Sequence, residues 1–360
     1  MALELGLRFE FIFLYAATAS ILSGLLGPLV GSLIDKFGGR LILPAGSLAF
    51  AFGLVLMANA TGPISFFFSW FVMGFGAAMG LYDAAFATVV EVLGTNARRT
   101  IAGITLIAGF ASSIGWPITS ALEQAFSWRE ALIFWALANL LICLPLHSFL
   151  PGYQKKIRRA RRDSREVPEE RPKIPILPRY AVAVAAALFL LGGSVQVTMG
   201  YHLPGVLAEF TDTEGLALAA ATLLGPGQVF ARLLQVLLPN QFSPVFVSVL
   251  ALSLHPLASA SLLSGGDFSP FVFAFIHGMG SGFLTVAAGI LPLYIFGAKD
   301  YGKRQGYIMA ASDILLGFAP FFFGLLLVQL GSSALWATSL ISLFALIFLR
   351  WLLNIKASAS

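Results

Sequence analysis

Apolar residues fall into long runs along this chain, and short polar breaks separate the runs. A helix needs roughly 20 apolar residues to cross the hydrocarbon core of a bilayer. A window of that length finds eleven candidate spans, at residues 11–34, 41–59, 64–90, 100–122, 130–150, 180–204, 215–238, 244–264, 268–295, 305–328 and 333–354. The pattern therefore predicts an all-α polytopic membrane protein.

Composition excludes a soluble fold. Of the 360 residues, 58% are hydrophobic and 11% are charged, and the mean hydropathy is +0.87. Soluble domains are about 45–50% apolar and about 25% charged. Cys143 is the only cysteine and lies in an apolar run, so neither a disulfide framework nor a cysteine-based metal site is available.

The segment 151–178 differs from every other connection because it is rich in Lys, Arg and Pro. A nucleic-acid-binding arm is one interpretation, but a polybasic stretch between membrane helices usually sets the topology. With the N-terminus outside and the C-terminus cytoplasmic, all of the 22 basic residues except Arg8 and Arg129 fall on or near the inner side. We therefore predict that orientation, a cytoplasmic linker and no nucleic-acid partner. The expected location is the cell membrane, specifically a bacterial inner membrane.

Two halves of the chain repeat at a nearly constant offset of about 200 residues. The offset spans an even number of helices, which predicts two parallel-repeat helical bundles. These bundles are residues 1–150 with five spans and 179–360 with six, joined by the linker 151–178. The matching features are Gly27-Pro28 with Gly225-Pro226, Phe71, Gly74 and Gly76 with Phe275, Gly278 and Gly280, and Gly103 and Pro117 with Gly306 and Pro320.

A loop motif between the first two spans reads Gly-Ser-Leu-Ile-Asp-Lys-Phe-Gly-Gly-Arg over residues 31–40. It resembles the G-x-L-x-D-[RK]-x-G-[RK]-[RK] loop that follows the second helix of the major facilitator superfamily. The fitting residues are Gly31, Leu33, Asp35, Lys36, Gly38 and Arg40, whereas Gly39 replaces a usual basic residue. Gly31 permits close helix approach, and Gly38 permits a tight turn. The resemblance implies that Asp35 faces the positive end of a helix dipole in the neighbouring half.

The resemblance implies a superfamily fold and a secondary active transporter that moves a small solute by alternating access. Its motif follows a first span here, so we expect the first helix of a twelve-helix protein to be missing, through a misplaced start or a true truncation. The alternative function is a truncated, transport-inactive remnant or a membrane sensor. Catalytic motifs such as H-E-x-x-H or G-x-S-x-G are absent from the sequence, so we predict no enzyme activity, catalytic residue, metal or cofactor.

Three ionisable residues fall inside predicted spans: Asp83, Arg232 and Asp313. Such groups are costly in a bilayer and are functional candidates for gating pairs, proton transfer or substrate contact. The alternative is that Arg232 snorkels to the inner surface and that the two acids bond to adjacent helices.

Five polar residues are candidates for lining a central cavity, because the resemblance places their helices around the transport path. A single histidine in a span is more often a packed residue than a proton relay. The expected partners are a small-molecule substrate, the lipid bilayer and a coupling proton or cation. The five candidates are Tyr82, Gln196, His202, Gln228 and His277.

Overall fold

The computed structural model describes residues 4–7, 9–150 and 177–359, and the regular elements of this part are helical. Short 3-10 turns lie at Gly94–Ala97, Leu316–Phe318 and Gly331–Ser333, and a π-helical turn lies at Asn139–Cys143. The α-helices are α1 (Phe9–Phe37), α2 (Gly39–Ala58), α3 (Pro63–Gly80), α4 (Tyr82–Leu93), α5 (Arg98–Ala108), α6 (Ala111–Ala125), α7 (Trp128–Ala138), α8 (Leu144–Ser148), α9 (Tyr180–Ala208), α10 (Glu214–Ala221), α11 (Leu224–Leu237), α12 (Pro244–Leu263), α13 (Ser269–Phe296), α14 (Tyr301–Leu315), α15 (Ala319–Leu330) and α16 (Ala334–Ala359).

Nine helical segments in the described residues are long and apolar enough to cross a bilayer. Two of them, Pro63–Ala108 with 46 residues and Tyr301–Ala359 with 59 residues, exceed the length of one crossing. Because one crossing takes roughly 20 residues, each of these two segments has the length of two crossings. Tyr301–Ala359 contains the predicted spans 305–328 and 333–354, whereas Pro63–Ala108 contains 64–90 and only the first part of 100–122. The all-α polytopic architecture is confirmed, and the count of eleven spans stays a prediction.

Two predicted spans are broken near their middle rather than continuous. In the span 100–122, α5 ends at Ala108 and α6 begins at Ala111. In the span 305–328, a 3-10 turn separates α14 from α15, whose second residue is Pro320. A proline has no N–H to donate to the preceding turn, so the helix readily starts afresh there. These two spans also correspond to one another in the predicted repeat.

The helices form two compact units. Unit 1 comprises the described residues of Met1–Ala97, Ser112–Pro175 and Phe296–Ile314, and unit 2 comprises those of Arg98–Ala111, Ile176–Ile295 and Leu315–Ser360. The predicted bundle boundaries at 1–150 and 179–360 stay a prediction. Most of the predicted linker, residues 151–176, lies outside the described residues.

The core of unit 1 includes an aromatic cluster beside α3. Phe66 is fully buried, and the ring of Tyr15 meets it edge-on with 5.5 Å between the ring centroids. Met57 and Ala60 close the same cluster. Lipid tails are as apolar as these side chains, so helices in a membrane associate through close packing rather than through hydrophobic burial alone.

The core of unit 2 is built from α9, α10, α12, α13, α15 and α16. Its buried residues include Met199, Leu203, Ala258, Phe273 and Leu335. Glycines bring α11 and α13 into backbone contact beside this core, since a Cβ at Gly278 would collide with the carbonyl of Leu224. Unit 2 therefore combines an apolar core with a close backbone contact between α11 and α13.

Candidate functional site

The loop motif forms a tight turn between α1 and α2. Gly38 has a φ of 82°, a left-handed conformation that side chains other than that of glycine adopt at a cost. The N–H of Gly38 donates to the carbonyl of Ile34 at 2.8 Å and closes the end of α1. Lys36 and Arg40 flank the turn with exposed side chains. The backbone therefore has the geometry that the motif requires of this glycine.

The Asp35 carboxylate binds the N-terminal turn of α14. Its Oδ1 accepts a hydrogen bond from the Gly302 N–H at 2.9 Å, and its Oδ2 accepts one from the Lys303 N–H at 2.8 Å. The first N–H groups of a helix have no partner within the helix, and the helix dipole places partial positive charge there. Asp35 therefore satisfies two N–H groups and complements the dipole of α14.

Glycines let α1 and α14 approach closely enough for this contact. Gly27 and Gly31 of α1 face Gly302 and Gly306 of α14. A Cβ at Gly31 would collide with the carbonyl of Gly302, and a Cβ at Gly306 would collide with the backbone of Gly27. Small residues four apart on both helices form an interface without interlocking side chains. A side chain at any of these positions would separate Asp35 from α14.

Gly39 stands where the loop motif usually has a basic residue, and the structure gives a local reason for this difference. A Cβ at this position would collide with the side chain of Thr88 on α4. Thr88 is buried, and its hydroxyl donates to the carbonyl of Ala84 at 2.7 Å. A basic residue at position 39 would therefore have to displace Thr88.

Both predicted intramembrane acids belong to unit 1. Asp83, near the start of α4, accepts a hydrogen bond at its Oδ1 from the Gln305 Nε2 at 3.0 Å. Asp313 packs against Gly24 of α1. Tyr301 is buried at the start of α14 within electrostatic range of Asp83. Asp83 and Asp313 therefore lie on α4 and α14 of the same unit.

Arg232 belongs to unit 2. Its side chain is 4% exposed, and its guanidinium donates to Thr285 Oγ1 at 3.3 Å. A Cβ added at Gly109 would contact this guanidinium, so the guanidinium lies beside the break that follows α5. Arg232 is therefore buried within its unit, and both interpretations of this residue stay predictions.

The five predicted cavity residues divide between the units. Tyr82 stacks on Phe86 with 5.4 Å between the ring centroids. The Nε2 of His202 lies 2.9 Å from the carbonyl oxygen of Pro320. A role in lining a cavity stays a prediction for all five. Tyr82 lies in unit 1, whereas Gln196, His202, Gln228 and His277 lie in unit 2.

His277 is not a lone histidine, because His255 lies against it. The two Nδ1 atoms are 2.9 Å apart, and the Nε2 of His255 lies 2.9 Å from Thr338 Oγ1. His255 is not among the predicted site residues. Its distance from the loop between the two helices could have indicated it. His255 lies eight residues before the end of α12, and His277 lies eight residues after the start of α13. Antiparallel neighbours with equal distances from their connecting loop bring such residues to one level.

These features define a class of protein. Many apolar helices, glycine interfaces and buried polar groups inside the spans are typical of membrane transport proteins. The model of the Major Facilitator Superfamily matches residues 1–267. The chain belongs to this superfamily.

Relatives with similar sequences are named as transporters. The "Uncharacterized transporter YybO" of Bacillus subtilis (strain 168) is 27% identical over 143 residues, which cover 40% of this chain and 31% of that protein. An "MFS-type transporter" of Gibberella moniliformis (strain M3125 / FGSC 7600) is 24% identical over 304 residues, which cover 80% of this chain and 68% of that protein. The match to YybO thus spans about a third of that relative's length.

A solved structure supports the same fold. The proton:xylose symporter XylE, bound to 6-bromo-6-deoxy-D-glucose, superposes with a TM-score of 0.72 at 14% identity, covering 97% of this chain and 89% of XylE. The prediction of a superfamily fold is confirmed. Together with the transporter names of the relatives, it identifies this chain as a multi-pass membrane protein of a transporter superfamily rather than of an enzyme family.

Proposed function

We propose that the chain is a secondary active transporter that moves a small solute by alternating access between two helical bundles. The observation that carries this proposal is the contact between Asp35 and the start of α14. In the predicted division, α1 belongs to the bundle 1–150 and α14 to the bundle 179–360. The contact therefore joins the two parts whose relative movement the proposal requires.

The contact suits a reversible switch because of how it is built. Two hydrogen bonds to a charged group contribute about 1.5–3 kcal/mol each when formed. The glycine faces of α1 and α14 carry no side chains that would have to disengage. Transport cycles need states that differ by only a few kcal/mol. A carboxylate that binds in one state and hydrates in the other meets that need.

A coupling proton or cation is part of the proposal. The supporting observation is that unit 1 holds two acids, Asp83 and Asp313, inside predicted membrane spans. An acid inside a membrane span is stabilised when it binds a proton or a cation. XylE is a proton:xylose symporter, so a small polar solute with a proton is the first combination to test.

The proposal includes an N-terminus outside the cell, a cytoplasmic C-terminus and a bacterial inner membrane. The supporting observation is the distribution of Lys and Arg along the sequence.

The decisive experiment separates transport from folding. Asp35→Ala and Gly31→Leu should reduce the initial rate of solute uptake by reconstituted vesicles far more than they reduce membrane expression. The matched control is Gly103→Leu, since a Cβ at Gly103 meets no atom within 4 Å. Equal loss of uptake and expression in the two variants would show that both residues are only structural. Absence of uptake by the wild type would favour the inactive remnant or the sensor.

A further inference from the structure

Two histidines and a threonine form a buried polar chain inside unit 2. His255 on α12 and His277 on α13 are each 2% exposed, and Thr338 on α16 is 3% exposed. The contacts run from His277 Nδ1 to His255 Nδ1 at 2.9 Å, and from His255 Nε2 to Thr338 Oγ1 at 2.9 Å. The Thr338 hydroxyl donates to the carbonyl of Leu335 at 3.0 Å. Three helices therefore hold one continuous hydrogen-bonded chain.

The chemistry of imidazole fixes where the protons go. A neutral imidazole carries one N–H and one bare nitrogen. Because a hydrogen bond needs one donor and one acceptor, only one of the two Nδ1 atoms carries a proton. The Thr338 hydroxyl donates to Leu335 and so accepts from His255, which assigns the proton to Nε2 of His255; Ser259 Oγ lies farther from that nitrogen, at 3.5 Å. The Nδ1 of His255 is then bare, and His277 donates its Nδ1 proton to it. Every donor of the chain is used in this arrangement.

One ring nitrogen of the histidine pair is left without a hydrogen-bond partner among the described residues. In this arrangement the Nε2 of His277 is a bare acceptor, and it has no hydrogen-bond partner among the described residues. The ring stacks on Phe273, with centroids 5.8 Å apart and planes inclined by 11°, so its face is covered. Buried polar atoms are nearly always paired, and an exception calls for an explanation such as a ligand. Only a very small ligand can occupy so closely packed a position.

We propose that His277 and His255 form a proton-binding pair. A proton adds to the lone pair of His277 Nε2 and forms an N–H bond there. The Nδ1–H bond of His277 breaks, and its proton forms a bond to the Nδ1 of His255. His277 is neutral again, and His255 carries the added positive charge. Both N–H groups of the charged His255 have acceptors, namely His277 Nδ1 and Thr338 Oγ1.

The helices around the pair supply no negative charge. The helices α9, α12, α13, α15 and α16 contain neither Asp nor Glu. The charge on His255 is therefore met by hydrogen-bond acceptors alone. Arg232 donates to Thr285, eight residues or about 12 Å along α13 from His277. The other ionisable groups on these five helices are Tyr180, Tyr201, His202, Tyr294, Arg350 and Lys356, and the acid Glu214 lies exposed at the start of α10.

The pair is separate from the acids Asp83 and Asp313, which belong to unit 1. Its proton binding does not depend on which solute the protein transports. A role for this proton in driving transport does rest on the proposed function. The experiment therefore measures protonation directly and treats transport as a second readout.

The test is nuclear magnetic resonance of the full chain in lipid vesicles with 15N-labelled histidine. The chain has only four histidines, so single His→Gln variants assign every ring signal. At alkaline pH we expect a bare Nε2 on His277, a protonated Nε2 on His255 and a coupling between the two Nδ1 nuclei. On acidification both rings should change at one common pH, with uptake of about one proton by the pair. The control is His147, whose Nδ1 contacts the Ser47 hydroxyl without a second ring.

Variants make the test specific. His255→Gln should abolish the common change and shift the pH at which His277 responds, whereas His202→Gln should leave it in place. Thr338→Val should disturb the tautomer of His255, and Thr338→Ser should preserve it. A protonated Nε2 on His277 at alkaline pH would overturn the proposal. Independent titration of the two rings, or no change over the pH range in which the protein stays folded, would also overturn it.

Transport supplies the second readout. Where the wild type takes up a solute, His277→Gln should alter the pH dependence of uptake while His147→Gln leaves it unchanged. An unaltered pH profile beside a normal spectrum would refute the coupling role alone. Absence of uptake by the wild type would refute the proposed function and leave the spectroscopic result decisive for the pair.

Discussion

Replacing Asp35 by Asn tests the contact with α14 most sharply. Asn keeps the size of the side chain but removes its charge and one of its two acceptor oxygens. The Gly302 and Lys303 N–H groups would then share one neutral acceptor instead of a carboxylate. The start of α14 should open locally more often, because its first N–H groups lose their best partner.

The size of the effect follows from the two bonds. A hydrogen bond to a charged group contributes about 1.5–3 kcal/mol, and a neutral one contributes about 0.5–1.5 kcal/mol. Asp35 is only half-buried, so solvent screening reduces the difference. A loss of about 2 kcal/mol corresponds to a roughly 30-fold faster exchange of both amide hydrogens through local opening.

Hydrogen exchange read by mass spectrometry is the assay, on peptides that contain residues 302 and 303. The control is Asp300→Asn, which removes one charge beside the same helix end without touching either bond. Asp300 has a φ of 51°, a conformation that Asn tolerates well. Unchanged exchange in Asp35→Asn, or equal acceleration in Asp300→Asn, would refute the reasoning.

Three further predictions concern packing, topology and pH. Gly306→Leu should lower the free energy of unfolding in detergent by about 1–3 kcal/mol, because the new side chain forces α1 and α14 apart. Its melting temperature should fall accordingly, whereas that of Gly103→Leu should stay nearly unchanged. In a Cys143→Ser background, a cysteine introduced at residue 212 should react with an impermeant thiol reagent outside the cell, and one introduced at residue 165 should not. The reverse labelling pattern would contradict the predicted orientation. The indole N–H of Trp128 and the Arg129 guanidinium lower the pKa of the Glu4 carboxyl, so this contact is present above the ordinary pKa of Glu and is lost as the pH falls through the lower value. Acidification should change the tryptophan fluorescence of the wild type at low pH, and a Glu4→Gln variant with the same change would contradict this.

The spans and the turn could be predicted because their causes are local. Length and hydropathy determine whether a helix can cross a bilayer. Gly38 could be predicted as a turn residue because glycine adopts a positive φ at little cost. The breaks at residues 109–110 and 316–318 could not be predicted by the same argument, since a broken helix and a continuous one share one hydropathy profile. Neighbouring groups decide whether the freed backbone is satisfied.

The partners of the site residues depend on tertiary structure. Gln305 bonds to Asp83 across 222 residues of sequence, and His255 meets Thr338 across 83 residues. Spacing along one helix carries no information on such pairs. Gly302 and Gly306 were within reach of prediction, because their spacing is typical of close helix contacts. That spacing does not reveal which helix they face.

Uptake by the purified wild-type protein tests the central claim most directly. Vesicles containing the protein would receive a uniformly 13C-labelled bacterial extract, with and without a pH gradient in either direction, and mass spectrometry would identify labelled compounds in the lumen. We expect at least one small solute to accumulate saturably above the level in empty vesicles and in vesicles containing Gly31→Leu. Equal contents in all three preparations under every gradient would contradict a transport function.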